Sequence, residues 1–180
     1  RWLSPSRGLI LPGNFIPLFE KSELIVKLDR YMFEHACRWY RSHLEQGGRP
    51  VSLAVNVSKA GLFQNDFVDY YTDIKDKYSI PDRVMELEFT ESILAADTEL
   101  FAELVVNLNA RGFICSLDDF GSGYSSLNLL KNLPIDVLKL DILFFQKSRD
   151  IRRERIVVSN VINMAKELDI KTIAEGVEDM

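Results

Sequence analysis

From Ser22 onward, Leu24, Ile25, Leu28, Tyr31, Met32, Ala36 and Trp39 recur three or four positions apart until Gly47 and Gly48 interrupt them. That spacing predicts an amphipathic helix. Ahead of it, Arg1 to Pro17 carries Pro5, Gly8, Pro12, Gly13 and Pro17, which predicts an irregular connection. Five short apolar runs then predict strands: Val51 to Val57, Val84 to Phe89, Phe113 to Leu117, Val137 to Leu140, and Lys171 to Ala174. Helical spacing lies between them, notably Thr98 to Arg111 before Gly112, Tyr124 to Asn132, and Arg152 to Leu168. Strand-like runs alternating with helix-like ones predict an α/β fold built on a parallel sheet.

Composition narrows this picture. The chain has 180 residues, 47% of them hydrophobic, enough for one continuous core. The net charge of -5, with no long run of Lys or Arg, argues against a polymeric nucleic acid as ligand. It is compatible with a small phosphate ester if divalent cations invert the local field. Cys37 falls in a helical pattern and Cys115 in an apolar strand, so both are expected as buried thiols rather than a disulfide pair. His35 and His43 lack a second metal-type ligand at a chelating offset and are expected at the surface or core edge. No stretch reaches the roughly 20 apolar residues of a membrane helix, and no signal-peptide pattern opens the chain. The expected compartment is the cytoplasm, with room for a membrane-anchored sensor outside this segment.

The candidate chemistry lies where the apolar strands stop. The first reaches Asn56, the second carries Glu86 and Glu88 with Glu91 just beyond it, and the third runs into Asp118 and Asp119. The fourth carries Lys139 and the last ends at Glu175. In a parallel barrel all strand C-termini open on one face, so these residues would converge. One amide and several carboxylates, without His or Cys, suit hard oxygen-seeking cations such as Mg²⁺ or Mn²⁺. Several like charges in one pocket call for more than one cation, and a pair of divalent ions serves phosphodiester hydrolysis. Any one Asp or Asn after a strand also works as a turn former or helix cap, so spacing alone leaves both readings open. Asp119-Phe120-Gly121 matches the magnesium-holding triplet of protein kinases, but the glycine-rich loop, early-strand lysine and His-Arg-Asp loop are missing.

Taken in order, several segments resemble the EAL domains of bacterial cyclic di-GMP signalling. They are Phe15-Ile16-Pro17, Val55 to Ser58, Glu86 to Ser92, Asp118 to Leu127, Leu138 to Asp141, and Ala174 to Glu178. The resemblance implies a TIM-like (β/α) barrel and hydrolysis of cyclic di-GMP to linear pGpG with two divalent cations, Mg²⁺ or Mn²⁺. It implies metal ligation by Asn56, Glu88, Asp118, Asp119 and Glu175, with Asp118 as the bridge. Lys139 would position the attacking water and stabilise phosphate charge, with Glu175 as ligand or general base. Glu91 would anchor the loop from Asp119 to Ser126, Glu178 would support the site, and Arg1 would touch a substrate phosphate. A homodimer and a fused sensory or GGDEF domain are also implied.

Measured against that pattern, residues 1–180 read as an EAL phosphodiesterase domain truncated at both ends. The barrel would then be incomplete, lacking its N-terminal strand and C-terminal βα units, and the isolated segment would have weak or no activity. The alternative is a catalytically inactive EAL domain acting as a cyclic di-GMP receptor or protein-interaction module. The presence of Asn56, Glu88, Asp118, Asp119, Lys139, Glu175 and Glu91 favours the enzyme.

Overall fold

The computed structural model describes residues 1–93, 98–121, 130–145 and 150–176. The chain opens with an antiparallel hairpin, β1 (Trp2–Ser4) and β2 (Gly8–Ile10), followed by α1 (Pro12–Lys21). This corrects the expected irregular opening. Pro12 is tolerated at the start of α1 because the first helical N–H groups have no intrahelical acceptor, and Gly8 takes the left-handed φ of 69° on leaving the turn. Pro17 lies inside the helix and forfeits one backbone bond. Phe15 offsets that loss by burying itself in edge-on contact with Trp2 and Phe19.

The long amphipathic pattern forms α2 (Leu24–Glu45), which buries Ile25, Asp29, Phe33, Cys37 and Tyr40 about one turn apart. The remaining elements are β3 (Leu53–Val57), α3 (Lys59–Leu62), α4 (Phe67–Lys77), β4 (Met85–Thr90) and α5 (Thr98–Ala110). They continue with β5 (Ile114–Phe120), β6 (Val137–Leu140), α6 (Ile151–Glu167) and β7 (Lys171–Ala174). The five expected strands are present, with β3 starting two residues late and β5 running on through Asp118 and Asp119. Most of the expected helix from Tyr124 to Asn132 lies outside the described residues.

Strands β3 to β7 form one parallel sheet in sequential order. Each strand adds on the same side of its predecessor, as in an arc of a barrel and unlike a doubly wound sheet, whose order reverses midway. Right-handed crossovers then place the helices on one face. Side-chain alternation divides the strands accordingly. Val55, Val57, Met85, Leu87, Phe89, Cys115, Leu117, Leu138 and Leu140 belong to the buried core, together with Phe33, Tyr71, Phe101 and Leu108 from the helices. Phe33 and Phe67 each lie 4.5 Å from Tyr71, and Phe89 meets Phe101 edge-on at 5.2 Å. Asn56, Glu86, Glu88, Ser116 and Lys139 fall on the opposite, concave face. The fold is an incomplete α/β barrel.

Both cysteines are free and buried, and desolvation pushes the Cys37 thiol up to about 12 and the Cys115 thiol higher still. His35 stacks on Tyr31 and His43 on Trp39 along α2. Among the described residues, no helix is long and apolar enough to cross a membrane.

Candidate active site

The concave face gathers its charged groups at the C-terminal ends of the strands. Parallel register sets Asn56 beside Glu88 and Thr90 beside Asp118. From β6, Lys139 reaches across, its Nζ 2.6 Å from Glu88 Oε1, 2.7 Å from Glu175 Oε1 and 3.8 Å from Asp118 Oδ1. Glu175 follows β7 directly, with its amide donating to the Leu140 carbonyl at 3.0 Å. Next to it, Gly176 has φ 68°, and a Cβ there would lie 2.8 Å from Ile142 Cδ1 and 3.0 Å from its Cβ. A glycine is therefore required for the close approach that brings Glu175 beside β6.

The carboxylate pair owes its geometry to a bulge. Leu117 pairs with Leu138 and Phe120 with Leu140, so β5 spends one residue more than β6 over this interval. Asp119 takes up the excess with a left-handed φ of 56°, and its amide donates to Asp118 Oδ1 at 2.9 Å. Without the bulge, consecutive side chains would point to opposite faces. With it, Asp118 and Asp119 both remain at the strand end while Phe120 returns to the core.

Electrostatics mark the cluster as short of positive charge. Desolvation raises the Glu88 pKa, reinforced by Asp118 and Glu86 and opposed by Lys139. Asp119 is raised by desolvation and by Asp118, Asp141 and Glu175. Burial alone would lower Lys139, but its bonds to Glu175 and Glu88 outweigh that and hold the ammonium above its ordinary range. Glu86 keeps one buried oxygen without a hydrogen-bond partner. Among the described residues no three carboxylates are arranged to hold a metal ion as they stand. Lys139 instead lies bonded between Glu88 and Glu175, a hard cation held by carboxylate oxygens. The donor chemistry thus fits Mg²⁺ or Mn²⁺, because every candidate ligand offers oxygen and none offers nitrogen or sulfur.

Of the sequence-derived residues, Glu88, Asp118, Asp119, Lys139 and Glu175 come together, and Asn56 adjoins Glu88 through the strand ladder. Glu91 follows β4 in a single 3₁₀ turn, where its Oε2 accepts a 3.3 Å bond from the Gly121 amide. Arg1 is exposed ahead of β1, and no ion pair ties it to the described carboxylates. Glu178 and the loop beyond Gly121 to Ser126 lie outside the described residues. Asp141 was missing from the candidate set, yet its charge acts on Asp119. The signal was present in Lys139-Leu140-Asp141, since residues two apart on a strand share a face.

Comparison with known proteins places the chain in a family and matches its fold. The EAL domain family matches residues 1–180. The bifunctional diguanylate cyclase/cyclic di-GMP phosphodiesterase MucR of Pseudomonas aeruginosa is 36% identical over 178 residues, covering 99% of this chain and 26% of MucR. The cyclic di-GMP phosphodiesterase NbdA of the same organism is 35% identical over 178 residues, covering 99% of this chain and 23% of NbdA. The chain thus spans about a quarter of the length of these curated relatives. Among solved structures, the PaMucR phosphodiesterase in complex with c-di-GMP superposes with a TM-score of 0.89 at 37% identity, covering 99% of this chain and 72% of that one. The FimX EAL domain from Pseudomonas aeruginosa bound to c-di-GMP gives 0.88 at 19% identity, covering 99% and 71%, a likeness of fold alone.

Proposed function

This chain belongs to the EAL domain family, and from that premise we propose that it carries the active site of a divalent-metal-dependent phosphodiesterase hydrolysing cyclic di-GMP to linear pGpG. The observation that carries this reading is the convergence of Glu88, Asp118 and Glu175 on Lys139 at the C-terminal end of a parallel sheet. In barrels of this kind that end is the seat of catalysis. Asn56, Glu88, Asp118, Asp119 and Glu175 would hold the cations. Bound there, two Mg²⁺ or Mn²⁺ ions supply charge neutralisation and acidify water.

The chain's own groups divide the remaining work. Glu175, the least buried carboxylate of the three around Lys139, accepts a proton from the attacking water. The water oxygen bonds to phosphorus, the bond to the 3′ oxygen breaks, and that oxygen takes a proton from solvent to become the free hydroxyl of pGpG, while Glu175 returns its proton to solvent. Lys139 donates to the phosphoryl oxygens as negative charge develops on them, an interaction strengthened by its partial burial. Glu91 steadies the start of the loop after β5 through Gly121. Arg1 contributes to holding a substrate phosphate, and Glu178 supports the cluster from beyond β7.

Incubation of cyclic di-GMP with a protein carrying the whole domain and Mg²⁺ or Mn²⁺ should yield pGpG, residues 1–180 alone should yield little or none, and in the whole domain Asp118→Ala or Glu88→Ala should lower turnover at least about 100-fold, the scale for losing a group that stabilises developing charge. Turnover surviving both substitutions and excess EDTA would remove the reading. Tight cyclic di-GMP binding with no pGpG by a protein carrying the whole domain would assign it to a receptor instead.

A further inference from the structure

Asp29 is a buried carboxylate to which the proposed chemistry gives no task. It occupies the inward stripe of α2 between Ile25 and Phe33, where the helical pattern calls for an apolar side chain. A carboxylate there is costly unless it is fully hydrogen-bonded. No described cation pairs with it. Its Oδ2 accepts the Ser58 amide at 3.0 Å. Ser58 Oγ in turn accepts the Gly61 amide at 3.0 Å, capping α3. Gly61 completes the nest because a Cβ there would lie 2.7 Å from Asp29 Oδ2 and 3.3 Å from Ser58 Oγ. Residues from α2, the β3–α3 turn and α3 thus close around one carboxylate.

What the nest holds is the end of β3. Ser58 lies two residues beyond Asn56, the one amide in the candidate ligand set. Asn56 is exposed, and among the described residues β3 is laddered on one side only, to β4. Its side chain has no hydrogen-bond partner among the described residues, so backbone placement alone aims it. One restraint on that backbone is the ladder to Glu88 and Phe89. The other is the grip on Ser58. We propose that Asp29 is a positioning residue that sets Asn56 for cation binding from outside the site. The inference rests on Asn56 acting as a ligand.

Mn²⁺ binding by the protein, followed by calorimetry or electron paramagnetic resonance, tests it independently of turnover. Asp29→Ala should weaken Mn²⁺ binding about 10-fold or more, the range for groups that orient metal ligands. Asp29→Asn, which retains a carbonyl oxygen for the Ser58 amide, should stay within about 3-fold of the parent on the same grounds. Asp136→Ala, a destabilising change at the far end of the sheet, should leave Mn²⁺ affinity unaltered. Parental affinity in a folded Asp29→Ala protein overturns the proposal. If that variant does not fold, Gly61→Ala, which crowds the same carboxylate without removing it, must weaken Mn²⁺ binding, and unchanged affinity there counts equally against it. Should the parent itself bind no Mn²⁺, Asn56 is not a ligand. The Asn56 side-chain amide signals in a ¹⁵N spectrum then decide the positioning role: a shift in Asp29→Ala but not in Asp29→Asn supports it, and no shift overturns it.

Discussion

Asp119 has a left-handed φ of 56° that L-residues adopt at a cost, and Asp is among the few that tolerate it. The bulge in β5 imposes that conformation, because one extra residue must fit before Phe120 can return to the core opposite Leu140. Strain and charge crowding therefore fall on the same residue, whose pKa is already raised by burial and by Asp118. Replacing Asp119 by Gly removes both. The Asp119→Gly protein is expected to gain about 0.5–1 kcal/mol in denaturant unfolding while losing cyclic di-GMP hydrolysis. A stability loss would mean that the bulge depends on the carboxylate rather than tolerating it. The polar stop at Asp118-Asp119 was visible in the sequence. The bulge was not, since it is defined only by the register with β6.

At the scale of elements, the two ends of the sheet do different work. The C-terminal ends carry the clustered carboxylates, while the N-terminal ends are tied by neutralised, hydrogen-bonded pairs. Arg83, just ahead of β4, pairs with Asp136, just ahead of β6, and donates to the Phe113 carbonyl. Asp136 Oδ2 accepts the amide of the buried Cys115 at 2.8 Å. Asp136→Ala would leave that amide without its acceptor and Arg83 without its counter-charge. A loss of roughly 2–3 kcal/mol in unfolding free energy is expected, with kcat and KM for cyclic di-GMP unchanged below the melting range. A fall in kcat at full folding would contradict the division of the sheet. Elements also show where local reading failed. Five glycines and prolines before residue 18 predicted irregular chain, yet the segment folds as a hairpin and a helix. Pro12 happens to suit a helix start, and the Trp2–Phe15–Phe19 contacts supply packing that no local pattern reveals.

For the whole molecule, the buried acids set the response to pH and cations. Glu88, Asp119 and Asp29 all have folded pKa values raised above their ordinary 4.5, 3.8 and 3.8. In the window between each ordinary value and the raised one, the folded state binds more protons than the unfolded state, so stability falls as pH rises. Above that window the penalty is complete. Without divalent metal, the melting temperature should therefore decline as pH rises above the ordinary carboxylate range. Cations that bind the ionised cluster should reverse this at pH 7. At 100 times its dissociation constant, Mg²⁺ would add about 2.7 kcal/mol, and the gain should shrink toward pH 5 as protons compete. A Mg²⁺ effect that grows on acidification would contradict cation binding at these carboxylates.

The amino-acid order by itself determined the alternation of strands and helices, the apolar face of each strand and the polar residues at its end. Those features depend on neighbours two to four positions apart, which the chain carries with it. Tertiary structure alone decided which of the polar ends meet. It also introduced the extra residue in β5, brought Asp141 to bear on Asp119, and enclosed Asp29 between Ser58 and Gly61. Each of these depends on the relative placement of segments some 20 to 30 residues apart, a distance over which burial and strand register, rather than local spacing, fix the geometry.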